Sequence, residues 1–107
     1  MKLSKKQENL IANYFHDKPV LKAYVFGSYS RDEADENSDI DLMIELDRTN
    51  PIGLKFFGYQ SELEGILGKE IDLATDNALS KYIRENVMAD RKLIYEMSTS
   101  ETESSKS

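Results

Sequence analysis

Residues 39–46 alternate between apolar and mostly acidic side chains, and no other stretch constrains the fold as strongly. The apolar set is Ile40, Leu42, Ile44 and Leu46, and the intervening set is Asp39, Asp41, Met43 and Glu45. A period of two is typical of a β-strand, whose successive side chains point to opposite faces of a sheet. The alternation therefore predicts that Asp39 and Asp41 share one face, with Cα atoms roughly 6.6 Å apart.

A Gly-Ser pair follows residues 21–26, an apolar and aromatic run predicted to form the preceding strand. Gly27 permits close approach of the backbone to a phosphate, and free N–H groups at a helix start favour anions. Ser28 adds a hydroxyl group, and Arg31 adds positive charge about one helical turn later. Residues 28 to about 35 are predicted to form a short helix opened by Ser28. An ordinary strand-to-helix turn with Ser28 as N-cap is the alternative interpretation.

Two carboxylates on one strand face repel each other unless water or a cation neutralises them. Oxygen ligands of this kind suit Mg²⁺ or Mn²⁺, which complete their coordination with water and substrate phosphates. A third acid, Asp72, lies in a predicted short strand at residues 71–74. If this strand pairs beside residues 40–46, three carboxylates are available for two metal ions about 3.5–4 Å apart. The alternative is a solvated strand face, with Asp72 at an exposed strand end.

The remaining segments predict helices that alternate with short strands. Helical spacing of apolar residues runs from Leu3 to Phe15 ahead of Pro19, from Phe56 to Leu67 ahead of Gly68, and from Leu79 to Val87. Asp47 to Pro51 is predicted to be a turn, and residues 92–95 a last strand. The pattern predicts an α/β (α+β) fold with residues 1–97 as one domain. Residues 98–107, nearly all Ser, Thr and Glu, are predicted to be a disordered tail.

Composition excludes several classes of function. The net charge of −6 argues against direct nucleic-acid binding, which requires a positive footprint. With no cysteine and a single histidine, the chain cannot build a thiol nucleophile, a zinc–thiolate centre or a multi-histidine metal site. No apolar run approaches the ~20 residues that a membrane span needs, so a cytoplasmic protein without membrane contact is predicted.

Taken together, these motifs identify a family resemblance. Gly27-Ser28-x-x-Arg31, then Ser38-Asp39-x-Asp41-Leu42, then Asp72 in a strand resembles the nucleotidyltransferase superfamily that includes DNA polymerase beta. The order, the spacing and the short chain are most similar to its minimal nucleotidyltransferases (MNT). The resemblance covers roughly residues 3 to 96. The chain departs from the family pattern at Asp32, where relatives often have glycine directly after the arginine.

The resemblance implies a polymerase beta-like fold, with a small mixed sheet flanked by helices. It also implies ATP as co-substrate and Mg²⁺, in two ions, as cofactor. By that resemblance the nucleotide-binding residues are Gly27, Ser28, Arg31 and Ser38, and the catalytic and metal-binding residues are Asp39, Asp41 and Asp72.

Many minimal nucleotidyltransferases are similar to antitoxins encoded beside a HEPN-domain ribonuclease toxin. The resemblance therefore implies a type VII-like antitoxin that forms a hetero-oligomer with the toxin and transfers AMP to one of its tyrosine hydroxyls. Phosphoryl-type transfer fits a chain without a covalent nucleophile, because it depends on positioning and charge stabilisation. Two alternatives remain open at this point: nucleotidyl transfer to a small molecule such as an aminoglycoside, and a non-catalytic antitoxin acting by binding alone.

Overall fold

The computed structural model describes residues 1–47, 55–79 and 81–97, which form three α-helices and four β-strands. In chain order these are α1 (Lys5–Phe15), β1 (Val20–Phe26), β2 (Ile40–Leu46), α2 (Lys55–Leu67), β3 (Ile71–Thr75), α3 (Lys81–Asp90) and β4 (Lys92–Glu96). The helices and strands expected from the spacing of apolar residues are all present. Two short 3-10 turns, Gly27–Tyr29 and Asp76–Ala78, follow β1 and β3.

Local sequence signals determine where α1 begins and where α2 ends. Ser4 and Gln7 form a capping box at the start of α1, in which each side chain accepts a hydrogen bond from the other residue's backbone N–H. Gly68 follows α2 in the left-handed region, with φ of 68°, and its N–H donates to the Glu64 carbonyl at 2.8 Å. Glycine adopts this conformation without a steric penalty, so the predicted stop of α2 is confirmed.

The four strands form one mixed sheet in the order β3-β2-β1-β4. Strand β1 pairs antiparallel with both β2 and β4, whereas β2 and β3 run parallel. The crossover between the parallel strands contains α2, as a parallel connection requires. The predicted mixed sheet flanked by helices is confirmed. The strand that carries Asp72 pairs beside residues 40–46, which meets the condition for bringing a third carboxylate to the site.

The two faces of the sheet are covered unequally. One face packs against α1 and α2 in a core that includes Phe15, Leu42 and Leu63, all fully buried. On the other face, the described residues include a cluster of three buried side chains, in which Val87 of α3 packs on Tyr24 and Met43. Met43 was predicted to lie among acids on a polar face; α3 covers it, so this part of the face is apolar.

Some predictions need correction and others fall outside the described residues. The prediction of a helix from residue 28 to about 35 is wrong, because the helical structure here is one 3-10 turn at Gly27–Tyr29. Residues 48–51 of the predicted Asp47 to Pro51 turn, and the tail at 98–107, lie outside the described residues. Among the residues that are described, no helix combines the length and apolar character needed to cross a membrane.

Candidate active site

The chain reverses direction after β1 through a turn centred on Gly27. Its φ of 73° lies in the left-handed region, where glycine is favoured. The Gly27 carbonyl accepts three hydrogen bonds, from the N–H groups of Ser30 and Arg31 at 3.1 and 3.2 Å and from Ser30 Oγ at 2.9 Å. Ser28 lies inside this turn, and the N-cap is Phe26 with no side-chain cap bond. The alternative role of Ser28 as a helix N-cap is therefore wrong.

Gly27 is also packed directly against Asp41. The last residue of β1, Phe26, is opposite Asp41 in the antiparallel ladder, so the turn begins beside this carboxylate. A Cβ atom added at Gly27 would lie 2.3 Å from Asp41 Oδ2, well inside van der Waals contact. The missing side chain at Gly27 thus makes room for the Asp41 carboxylate, in addition to permitting the left-handed turn.

The parallel ladder brings two of the three predicted acids side by side. Asp41 of β2 is the register partner of Asp72 of β3, and both alternate with residues buried in the larger core. Both side chains therefore project from the face of the sheet that lies opposite the larger core. The two strands that carry them are about 4.8 Å apart. Asp39 lies in the exposed segment just before β2.

The surroundings of Asp41 oppose its ionisation. Its carboxyl group is half-buried, and this desolvation, followed by repulsion from Asp72 and Asp39, raises its pKa from 3.8 to about 6. The positive charge of Arg31 acts in the opposite direction but does not offset these effects. Asp41 therefore lies in a site with an excess of negative charge, which a bound cation would relieve.

The donor set fits magnesium. Within the described segments, no three His, Cys, Asp or Glu side chains form a ready-made metal cage. Mg²⁺ uses one or two carboxylates and completes its octahedron with water and substrate phosphates, so it does not need such a cage. The paired carboxylates Asp41 and Asp72, with Asp39 close enough to influence the pKa of Asp41, are the oxygen donors that would hold such an ion.

Arg31 lies between the glycine turn and the end of α3. Its Nη1 donates to Asp90 Oδ2 at 2.7 Å, and its Nε donates to Glu33 Oε1 at 2.9 Å. Asp90 is the last residue of α3 and is separated from Arg31 by 59 positions in the chain. Nothing in the local sequence around residue 90 points to this ion pair, and the sequence analysis missed it.

The departure from the family pattern at Asp32 has a backbone explanation. Asp32 has a φ of 60°, the left-handed region that glycine enters without strain. Its Oδ1 atom forms an ion pair with the N-terminal ammonium group of Met1, at 2.9 Å. The negative charge of Asp32 is thereby matched by the charge of the chain's N-terminus, and aspartate is one of the few residues that tolerate this conformation.

Ser38 acts within the loop that leads into β2. Its hydroxyl group accepts a hydrogen bond from the Asp35 N–H at 3.0 Å, and its own N–H donates to the Asp35 carbonyl at 3.0 Å. These bonds close a tight turn immediately before Asp39. The structure thus places Ser38 where it orders the approach to the acidic strand, and its predicted contact with the nucleotide stays a prediction.

Comparison with known proteins agrees with this geometry. Residues 8–100 match the family described as polymerase beta, nucleotidyltransferase. A provisionally named protein adenylyltransferase of Methanocaldococcus jannaschii is 43% identical over 77 residues, covering 72% of this chain and 84% of that relative.

Solved structures show the same fold. A crystal structure of a toxin-antitoxin complex with AMP-PNP matches with a TM-score of 0.72 at 22% identity, over 89% of this chain and 77% of that one. A structure of tri-AMPylated Shewanella oneidensis HEPN toxin in complex with MNT antitoxin matches with a TM-score of 0.69 at 20% identity, over 94% of this chain and 78% of that one. The predicted fold and enzyme class are confirmed, and the chain belongs to the polymerase beta nucleotidyltransferase family.

Proposed function

We propose that the chain is a Mg²⁺-dependent protein adenylyltransferase that transfers AMP from ATP to a tyrosine hydroxyl of a HEPN ribonuclease toxin. By this modification, within a complex of the two proteins, it neutralises the toxin in the cytoplasm. The observation that carries the proposal is the pairing of Asp41 with Asp72 on one sheet face, beside the turn at Gly27. Paired carboxylates next to a glycine turn are suited to binding a nucleotide triphosphate together with its metal.

The nature of the acceptor is supported by the relatives. The M. jannaschii relative has a name that gives a protein as its acceptor. One of the structures with this fold pairs MNT antitoxin with a HEPN toxin that carries AMP groups, and another contains AMP-PNP, an ATP analogue. A toxin hydroxyl as acceptor and ATP as donor are the corresponding proposals for this chain.

The transfer requires the acceptor oxygen to be in line with the leaving group. The tyrosine oxygen forms a bond to the α-phosphorus of ATP, the bond from that phosphorus to the β-bridging oxygen breaks, and pyrophosphate leaves. Gly27 and Ser28 hold the β- and γ-phosphates with backbone and hydroxyl donors, and Arg31 adds positive charge. Asp72 accepts the proton of the tyrosine hydroxyl. Magnesium held by Asp39, Asp41 and Asp72 would supply charge neutralisation for the phosphates.

A labelling experiment tests this proposal. The full chain is incubated with ATP labelled at the α-phosphate, Mg²⁺ and a purified HEPN-domain toxin from the same organism, and the label is mapped by mass spectrometry. We expect AMP on a toxin tyrosine, and a loss of at least about 100-fold in rate for Asp41→Asn, or roughly 2.7 kcal/mol of transition-state stabilisation.

Glu45→Gln is the matched control, because Glu45 lies on the same strand and the same face but away from the glycine turn. This variant should retain the wild-type rate. Label on an added small molecule and not on the toxin would overturn the protein acceptor. Full neutralisation of the toxin by Asp41→Asn, without label, would indicate an antitoxin that acts by binding alone.

A further inference from the structure

An ion pair between two distant elements fixes the side chain of Arg31. Its guanidinium group contacts Asp90 from the end of α3 and Glu33 from its own loop. The Asp90 side chain is 27% exposed, whereas the Glu33 side chain is 63% exposed and only two positions away from Arg31. Asp90 therefore anchors Arg31 to another part of the fold, and Glu33 provides a local, solvent-screened contact.

The position of Asp90 argues against a purely structural origin of this contact. It is the last residue of α3, where the helix dipole is unfavourable to a negative charge. The next residue, Arg91, stabilises the helix end in the usual way, with its guanidinium stacked 4.2 Å from the ring centroid of Tyr24 and 3.8 Å from Glu45. The helix end is thus already attached to the sheet without Asp90.

Arg31 also lies beside the glycine turn, because its backbone N–H donates to the Gly27 carbonyl at 3.2 Å. Gly27 packs directly against the Asp41 carboxylate, so Arg31 belongs to the segment that borders the acidic face. Its hydrogen bonds to the two carboxylates use Nε and Nη1, and the guanidinium fork has five N–H donors in total. The remaining donors suit a phosphate oxygen beside the Gly27 turn.

We propose that Asp90 is a positioning residue, which holds the Arg31 guanidinium ready to bind the triphosphate. The inference rests on the proposed function and extends it to a residue of α3. An exposed arginine loses rotamer freedom when it binds a ligand, and a side chain already fixed by an ion pair loses less. Asp90 therefore strengthens binding of ATP while leaving the transfer step itself nearly unchanged.

The test measures KM for ATP and kcat for AMP transfer in Asp90→Asn, with Asp90→Glu as the variant that keeps the charge. Immobilising one side chain changes affinity by roughly 3- to 10-fold, so we expect KM to rise by that factor and kcat to change less than about 2-fold. Asp90→Glu should restore most of the affinity. Glu33→Gln is the control, with an expected change in KM below about 2-fold because its contact is exposed and local.

A double-mutant cycle with Arg31→Met tests whether Asp90 affects KM through Arg31. Asp90→Asn should add less than about 2-fold to KM in the Arg31→Met background, since its role is exercised through Arg31. Additive effects, an equal effect of Glu33→Gln, or a fall in kcat without a change in KM would overturn the inference. The inference would also be overturned if Asp90→Asn failed to fold while Asp90→Glu folded with the wild-type KM. That combination would mean that Asp90 stabilises the fold and does not position Arg31.

Calorimetric titration of ATP with Mg²⁺ into the isolated full chain provides a second readout that needs no acceptor. The dissociation constant should rise in Asp90→Asn by the same factor as KM. If ATP binds to the wild-type chain but no toxin is labelled, the proposed function fails, and the calorimetric comparison still tests Asp90. If the toxin is labelled and Asp90→Asn binds ATP like the wild type, only the role of Asp90 fails.

Discussion

The two faces of the sheet differ in what they bury and in what they expose. The face under α1 and α2 is apolar, and its strand residues Ile40, Leu42 and Ile44 are fully buried. The face under α3 has a three-residue apolar cluster at one place and paired carboxylates at another. Residues 40–46 contribute to both faces through simple alternation, so one strand carries much of the stability and much of the candidate chemistry.

This arrangement separates the energetic roles of neighbouring residues. A change at Leu42 should affect folding, and a change at Asp41 should affect activity, although the two are adjacent in the chain. The following predictions test this separation, beginning with the largest expected effect on the free energy of unfolding.

Truncation of neighbours on opposite faces compares the two clusters directly. Leu42→Ala removes a fully buried side chain from the large core and should lower the free energy of unfolding by about 3 kcal/mol. Met43→Ala should cost less, about 2 kcal/mol, because the three-residue cluster can close around the space more easily. Urea denaturation of both variants measures the difference. A larger loss at Met43 would mean that the face under α3 dominates stability.

The glycine turn packs against Asp41, and Gly27→Ala tests this contact. The new Cβ would clash with Asp41 Oδ2, and the left-handed φ of 73° costs a further ~1–2 kcal/mol. We expect both a loss of about 2 kcal/mol in unfolding free energy and loss of AMP transfer, measured by denaturation and by labelling.

Gly65→Ala is the matched control for this change. Gly65 lies in α2 with no atom within 4 Å of the position where its Cβ would be. Alanine is the better helix former, so this variant should gain about 0.5–1 kcal/mol and keep its activity. Equal behaviour of the two alanine variants would contradict the role assigned to the Gly27–Asp41 contact.

The raised pKa of Asp41 predicts an unusual pH dependence of stability. The pKa of Asp41 is about 6 in the folded chain and 3.8 ordinarily, so the folded chain binds the proton more tightly than the unfolded chain does. This proton binding adds to the free energy of unfolding. The contribution is fully present below pH 3.8 and is lost as pH rises through 6. Asp41→Asn should therefore be more stable than wild type at pH 7 by about 1 kcal/mol, after allowance for solvent screening.

Denaturation with EDTA at pH 7 and at pH 5 measures this effect, which should shrink at the lower pH. Added Mg²⁺ should stabilise the wild type and leave Asp41→Asn nearly unchanged, because only the former retains the full ligand set. A wild-type protein more stable than Asp41→Asn at pH 7 without metal would show that Asp41 supports the fold rather than opposing it.

An effect of similar size is expected at the loop that follows the turn. Asp32→Gly and Asp32→Ala both remove the exposed ion pair with Met1, so their difference reports the backbone conformation alone. With φ at 60°, the glycine variant should be more stable than the alanine variant by about 1 kcal/mol. Thermal unfolding of the pair measures it, and identical midpoints would place the strain elsewhere.

The sequence predicted the features that depend on local periodicity. Alternation at residues 39–46 placed Asp41 on the face opposite Leu42, and Gly68 marked the end of α2, because each signal is contained in a few neighbouring residues. The pairing that brings Asp72 beside Asp41 was stated only as a condition, since strand order depends on contacts distant in sequence.

Features that depend on tertiary contacts were missed or mispredicted. The helix expected after Ser28 does not continue because Asp32 enters the left-handed region, and a single turn is too short to propagate by itself. Neither the cover that α3 gives to Met43 nor the contact between Asp90 and Arg31 has a local pattern. Both follow from where α3 packs, which alternation and spacing do not encode.

The register of the parallel ladder determines which changes of chain length the candidate site can tolerate. Asp41 and Asp72 meet because β3 is aligned with β2 residue for residue, from Ile40 with Ile71 to Ile44 with Thr75. Adding residues to the connection between the strands leaves this alignment intact. One residue inserted inside β3 just before Asp72 would turn its carboxylate toward Leu63 and the apolar core. Natural variation in length should therefore be frequent in the connection and absent from the five residues of β3.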